Sequence, residues 1–110
     1  MIPVLGLVLG IVLGVALDVE VPTALQPYLP IAVVAALDAL IGALRATLEG
    51  VFDDRVFVVS FVSNVLLATL IVYVGNLLGV GTQLTTAVIV VLGIRIFTNA
   101  ASIRRLLLGA

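Results

Sequence analysis

The segment over residues 30–50, PIAVVAALDALIGALRATLEG, constrains the fold of this chain more than any other feature. It is apolar enough to be a membrane-spanning helix, yet Asp38 and Arg45 lie inside the apolar run. A charged side chain near the centre of a bilayer costs about 3 kcal/mol or more, so such residues usually face protein and have polar partners. The segment therefore predicts a membrane helix whose neighbours shelter these two side chains.

Composition also indicates a membrane protein. Of 110 residues, 64% are hydrophobic and 10% are charged, whereas soluble domains average about 45–50% apolar and about 25% charged residues. A globule of this size could not bury so much apolar surface, but a bilayer can solvate it. We expect a single integral membrane domain over residues 1–110.

The residue types that the sequence lacks exclude several functions. It contains no Cys and no His, and every basic residue is Arg. The commonest metal ligands, the usual general base and the lysine of Schiff-base chemistry are therefore missing. A net charge of −1 gives no basic surface for nucleic acid. We expect a protein that is not an enzyme, with no catalytic residues, cofactor, metal or nucleic-acid partner.

Hydropathy and helix breakers predict four helices. Prolines interrupt the chain between the first two, and short turns rich in glycine or acidic residues follow the second and third. The N-terminal segment lacks the basic residues and cleavage site of a secretory signal, so we expect a retained helix. The predicted fold is all-α, a polytopic bundle of four transmembrane helices. An offset of 55 residues aligns apolar positions of the second and fourth helices, so two tandem helical hairpins are an alternative description. The predicted helices cover residues 2–19, 31–49, 56–78 and 83–107.

Glycines mark two candidate packing faces. Gly6, Gly10 and Gly14 recur every four residues, which places them on one side of the first helix. Such small-residue faces let another helix approach closely in membranes. Gly42 lies on the polar side of the second helix. We expect these four positions to mediate helix packing, and the first helix to offer a surface for a partner or an oligomer.

Polar residues on three helices form a predicted intramembrane cluster. On the second helix Asp38, Arg45 and Glu49 share one side, and Arg45 can pair with Glu49 four residues on. Asp38 and Arg45 are about 10 Å apart along the axis, so Asp38 needs a partner on another helix. The rise of about 1.5 Å per residue gives the depth of each residue below its helix end, and Arg95 then lies at a depth from which its side chain can reach Asp38. The cluster comprises Asp38, Arg45, Glu49, Asn64, Arg95 and Asn99.

The cluster has three possible roles, which the sequence leaves open. The charges can fix the register of the helices, they can bind an anion, a lipid headgroup or an acidic residue of a partner, or they can serve conduction. Asp53 and Asp54 precede the third helix, where acidic side chains favour the N-terminal end of the dipole. We expect that structural role for them rather than metal binding.

The arginines also predict the orientation in the membrane. With four spans, Arg55, Arg104 and Arg105 lie on the side on which both termini lie. Positive residues mark the cytoplasmic side, so both termini are expected to be cytoplasmic. A second helix that is amphipathic or re-entrant rather than spanning would instead place the C-terminal tail outside.

Three stretches resemble the bacterial small basic protein family, which contains uncharacterised short integral membrane proteins. They are PYLPIAVVAALDALIGALRA, FDDRVFVVSFVSNVL and VLGIRIFTNAASIRR, and the resemblance covers nearly the whole chain. The family is often encoded near cell-division genes, which implies a role in the envelope and a place in the cytoplasmic membrane. It brings no known catalytic residues. The sequence pI of about 4.9 departs from the family name.

Two functions are consistent with these observations. The first is a non-enzymatic partner or scaffold for other envelope membrane proteins, or for further copies of itself, that binds through the polar cluster. The alternative is a small transporter subunit or a protein that binds a lipid headgroup or anion. Water-lined cavities would favour the alternative, and a dry, closed bundle would favour the first function.

Overall fold

The computed structural model describes residues 2–17 and 20–110, and these residues form helices and connecting turns with no strand. The predicted all-α fold with four helices is confirmed. The first predicted helix extended to residue 19, and its last two positions lie outside the described residues. The helices are α1 Ile2–Leu17, α2 Leu29–Leu48, α3 Asp54–Leu77 and α4 Gly81–Leu108, and a short 3-10 helix, Gln26–Tyr28, precedes α2.

Three of the helices are long and apolar enough to cross a membrane, namely α2, α3 and α4. Their lengths are about 30, 36 and 42 Å, against a hydrocarbon core of about 30 Å. Because α2 is continuous over its whole length, a re-entrant second helix finds no support. Helix α1 is equally apolar but has 16 residues, which corresponds to about 24 Å and is shorter than a usual span.

Helices α2, α3 and α4 each begin two residues earlier than the sequence predicted. Helix α2 includes Pro30 in its first turn, where a missing N–H breaks no helical hydrogen bond and the fixed φ suits the helix. Helix α3 begins after Asp53, whose carboxylate accepts hydrogen bonds from the backbone N–H groups of Arg55 at 2.8 Å and Val56 at 3.2 Å. The structural role predicted for Asp53 at this helix N-terminus is confirmed.

Helices α2, α3 and α4 form the body of the molecule. Helix α2 packs mainly against α4, and α3 contacts both. The order of these contacts along the chain makes α2 and α4 parallel to each other and antiparallel to α3. Helix α1 has only sparse contacts with α2 and α3. The two predicted tandem hairpins, α1–α2 and α3–α4, are therefore not alike, because α1 has few contacts with α2 whereas α3 and α4 pack closely.

An apolar core closes the end of the bundle that lies away from the α2–α3 turn. Ile31 and Val72 are each 1% exposed and pack with Ala68. Tyr28 packs against this core, and its hydroxyl accepts a hydrogen bond from Asn76 Nδ2 at 3.4 Å. Most other large apolar side chains of α3 and α4 face outward, as expected where lipid rather than water is the solvent.

The glycine face of α1 packs against nothing in the described residues. A Cβ added to Gly6, Gly10 or Gly14 would meet no atom within 4 Å, and α1 has no buried residue. The packing predicted for these glycines is therefore not made with any of the described residues, because α1 lies at the edge of the bundle with its glycines turned outward. A role for them in association with another molecule stays a prediction.

Close packing of glycine occurs instead at the α3–α4 turn. A Cβ on Gly75 would lie 2.5 Å from Cδ1 of Leu84, and one on Gly81 would overlap the Asn76 side chain. Both glycines are buried. Their missing side chains let α3 and α4 approach each other at this end.

Candidate functional site

Asp38 and Arg95 meet between the middles of α2 and α4. Arg95 Nε lies 3.5 Å from Asp38 Oδ1, and the side chains are 51% and 6% exposed, respectively. Asp38 Oδ1 is buried and accepts no hydrogen bond from any described residue. Arg95 therefore gives Asp38 an opposite charge, but one carboxylate oxygen of Asp38 has no hydrogen-bond donor among the described residues.

A second polar group lies closer to the α2–α3 turn. Arg45 donates a hydrogen bond from Nε to Glu49 Oε1 at 2.8 Å and another from Nη1 to Asn99 Oδ1 at 2.9 Å. A Cβ on Gly42 would lie 3.6 Å from Asn99 Nδ2, so the missing side chain leaves Asn99 room against α2. This group ties α2 to α4 through the Arg45–Asn99 hydrogen bond, whereas the first pair has no such bond.

Five of the six predicted cluster residues thus lie in two layers at the contact between α2 and α4. The first layer is Asp38 with Arg95, and the second is Arg45 with Glu49 and Asn99. The sixth residue, Asn64, lies on α3. Asn64 hydrogen-bonds to neither layer. It lines, together with Asp38 and Arg95, a cavity of about 180 Å³ between α2 and α3. We call this cavity the α2–α3 cleft.

The α2–α3 cleft runs from the α2–α3 turn towards the Asp38–Arg95 pair. Its α2 wall consists of small residues, including Ala39 and Ala46. Its α3 wall carries Phe57, Ser60 and Asn64, and Asp53 lies at the turn. The cleft therefore combines apolar walls with polar groups at several depths.

Asn64 on the α3 wall was predicted as a cluster residue, whereas Phe57 and Ser60 were not included in the predicted site, although their spacing was visible. Asp53, Phe57, Ser60 and Asn64 recur at i, i+4, i+7 and i+11, which is the same one-sided spacing that marks the polar side of α2. That pattern could have shown that these side chains share a face. It could not have shown that α2 and α3 stand apart there.

Two chemical capacities follow from this geometry. The carboxylate group of Asp38 can accept a hydrogen bond from a donor inside the cleft that it lines, and the half-exposed Arg95 side chain can donate hydrogen bonds to a further acceptor. The described part of the chain holds no group of three or more acidic, histidine or cysteine side chains that could bind a metal ion.

Comparison with known proteins places the chain among small bacterial proteins. The family described as "Protein of unknown function (DUF1290)" matches residues 21–108. The chain belongs to this family. The small basic protein of Bacillus subtilis is 48% identical to it over 107 residues, which is 97% of this chain and 87% of the relative. The resemblance to small basic proteins is therefore confirmed.

Two further relatives are similar to the chain over most of their length. Uncharacterized proteins of Mycobacterium tuberculosis and Mycobacterium bovis are each 73% identical over 90 residues, which is 82% of this chain and 74% of each relative. No solved structure matches the chain. Function must therefore be argued from the geometry of the site.

Proposed function

We propose that this protein is a non-enzymatic integral membrane protein of the bacterial cell envelope that binds another membrane protein around Arg95. The observation that carries the proposal is the exposure of this arginine, whose side chain is 51% exposed. Val91 and Ile94 beside it are 58% and 61% exposed, and Thr98 is exposed as well. These four residues, spaced i, i+3, i+4 and i+7, define the Arg95 face of α4.

The position of Arg95 along α4 makes its exposure costly in lipid. Arg104 lies nine residues further on, about 14 Å along the axis. With Arg104 at the membrane surface, Arg95 lies near the centre of a core of about 30 Å, which is too deep for one side chain to reach the surface. Leaving a charged group there costs about 3 kcal/mol or more, and Asp38 meets it from one side only.

A helix of a different membrane protein fits this face best. It would present an acidic or amide side chain that accepts hydrogen bonds from the guanidinium group. A second copy that docked through the same face would bring two arginines together, which is unfavourable. Lipid headgroups lie at the membrane surface and would meet Arg104 and Arg105 instead.

The proposed orientation has both termini in the cytoplasm. It is supported by the arginines at one end of the bundle, since Arg55 lies just after the α2–α3 turn and α4 ends beside that turn with Arg104 and Arg105. It requires that α1 also cross the membrane. The alternative function, a small transporter subunit, is favoured by one feature, the α2–α3 cleft.

The experiment that tests partner binding is site-specific photocrosslinking in cell membranes. A photoreactive amino acid at Val91 should crosslink to a defined protein, whereas one at Phe97 should not. Phe97 is 79% exposed and lies two residues from Arg95, nearly opposite to it around α4. It therefore samples the same depth on another side.

The dependence on charge is tested in the Val91 background. Arg95→Gln should lower the crosslink at least tenfold, whereas Arg104→Gln, which also removes one arginine from α4, should leave it unchanged. The double variant Asp38→Asn/Arg95→Gln removes the ion pair as a unit and should fold but still lose the crosslink. A crosslink that survives in the well-expressed double variant would refute the proposal.

A further inference from the structure

The α2–α3 cleft ends at a buried carboxylate whose hydrogen bonding is incomplete. Asp38 is 5% exposed, and its Oδ1 accepts no hydrogen bond from the described residues although Arg95 Nε lies 3.5 Å away. A buried charged oxygen is costly unless it is hydrogen-bonded as well as paired. Because Asp38 lines the cleft, the cleft is the side from which a hydrogen-bond donor can approach its carboxylate group.

The size and lining of the cleft suit water. Its volume of about 180 Å³ corresponds to about six water molecules at the liquid value of about 30 Å³ each. Asp53, Ser60 and Asn64 lie at successive depths along α3, about 10 Å and then 6 Å apart along the axis. Two or three waters bridge such gaps, and each water then has polar partners.

The cleft is closed towards the other end of the bundle. There Ile31 and Val72 are each 1% exposed and pack with Ala68. This apolar core offers no polar group to a water molecule. Access to Asp38 through the cleft is therefore one-sided and starts at the α2–α3 turn.

We propose that the α2–α3 cleft is a water-filled vestibule that opens at the α2–α3 turn and ends at the Asp38–Arg95 pair. It admits water to the pair from one side of the membrane. The inference goes beyond partner binding at the Arg95 face of α4, because it concerns the space between α2 and α3 that Asp38 and Arg95 line and does not require a partner.

The absence of cysteine from the sequence makes a direct test available. A single cysteine reacts with a thiosulfonate reagent only as the thiolate, which forms in water and not in lipid. Ser60→Cys is nearly isosteric and lies in the cleft. Ser63→Cys is its chemical control, because Ser63 is exposed but does not line the cleft, and Val59→Cys is the control for depth.

Ser60→Cys is treated with a trimethylammonium methanethiosulfonate that does not cross membranes. Ala39→Cys lies deeper in the cleft and is treated with Ag⁺, because this ion is small. Each is applied to inside-out and right-side-out membrane vesicles, and the remaining thiols are counted by a maleimide gel shift in detergent. We expect Ser60→Cys to react at least tenfold faster than Ser63→Cys and Val59→Cys. The reaction should occur in one vesicle orientation only, the same one in which Val51→Cys at the turn reacts.

A plugging variant supplies a second, independent measurement. Ala46 lines the cleft near the turn, so Ala46→Leu should slow the modification of Ser60→Cys at least tenfold and leave that of Val51→Cys unchanged. Slow reaction of both cleft cysteines beside a reactive Val51→Cys would overturn the proposal. Reaction of Ser60→Cys from both sides of the membrane would also overturn it. So would reaction in reconstituted liposomes but not in cell membranes, because that result would mean that a partner fills the cleft in the cell.

Discussion

Removing one member of the Asp38–Arg95 pair should destabilise the protein by very different amounts depending on which member is removed. The asymmetry follows from burial, because the Asp38 side chain is 6% exposed and that of Arg95 is 51% exposed. Arg95→Leu leaves a buried carboxylate without its counter-charge. Asp38→Asn keeps the shape of the buried side chain and leaves Arg95, whose side chain is half exposed and lines the α2–α3 cleft, where the water of the proposed vestibule can solvate it.

The magnitudes can be set from the geometry. Removing one partner of a fully buried ion pair costs about 3–5 kcal/mol. The pair here is half buried and lacks hydrogen-bond geometry, so we expect about 3 kcal/mol for Arg95→Leu and about 1 kcal/mol for Asp38→Asn. The double variant should lie within about 1 kcal/mol of the parent, since replacing a whole buried pair is often nearly neutral. The coupling free energy between the two positions then has a magnitude of about 3–5 kcal/mol.

The assay is equilibrium unfolding in mixed micelles, with helix content followed by circular dichroism as the fraction of denaturing detergent rises. Arg45→Leu is a useful comparison, because Arg45 holds hydrogen bonds to Glu49 and Asn99 but leaves no buried carboxylate behind. Equal losses for Asp38→Asn and Arg95→Leu would refute the reasoning. So would an additive double variant, because the two side chains would then not interact.

Three further predictions concern packing and orientation. Gly81→Ala should lower the free energy of unfolding by about 1–3 kcal/mol because its Cβ would overlap Asn76, whereas Gly93→Ala, with nothing within 4 Å, should change it by less than about 1 kcal/mol in the same unfolding assay. Gly42→Leu should displace Asn99 and lower that free energy by a similar amount, whereas Gly42→Ala should be tolerated, since its Cβ would sit at an ordinary contact distance. Reporter domains fused to each terminus should both be cytoplasmic, and an N-terminal reporter on the opposite side would show that α1 does not cross the membrane.

The helices and the polar side of α2 could be predicted from the sequence because each depends on local pattern. Apolar length marks the spans, and the spacing of Asp38, Arg45 and Glu49 fixes their common side whatever the helix packs against. Rise per residue then matched Asp38 with Arg95, and the structure has these side chains 3.5 Å apart. The starts of α2 and α3 were placed two residues late because capping by Asp53 and a proline in the first turn are local details that hydropathy does not weigh.

Features that depend on the distance between helices could not be predicted. Gly6, Gly10 and Gly14 share a side by spacing, but spacing does not say whether a neighbour lies there, and within the described residues none does. The α2–α3 cleft likewise requires two helices to diverge. Helix contacts of this kind arise from the packing of all the side chains between them, which a one-dimensional pattern does not contain.

The polar cluster and the cleft have a common cause in the small residues of α2. Ala35 and Ala43 are 3% and 5% exposed, and Gly42 lies under Asn99, so α4 approaches α2 closely enough for its polar side chains to reach Asp38 and Arg45. The neighbouring Ala39 and Ala46 do not extend far enough to fill the space towards α3. Larger residues on this side of α2 would push α4 away or fill the cleft. The many alanines of α2 therefore have a structural explanation. On one side they let the polar side chains of α4 approach, and on the other they leave the space between α2 and α3 that reaches Asp38.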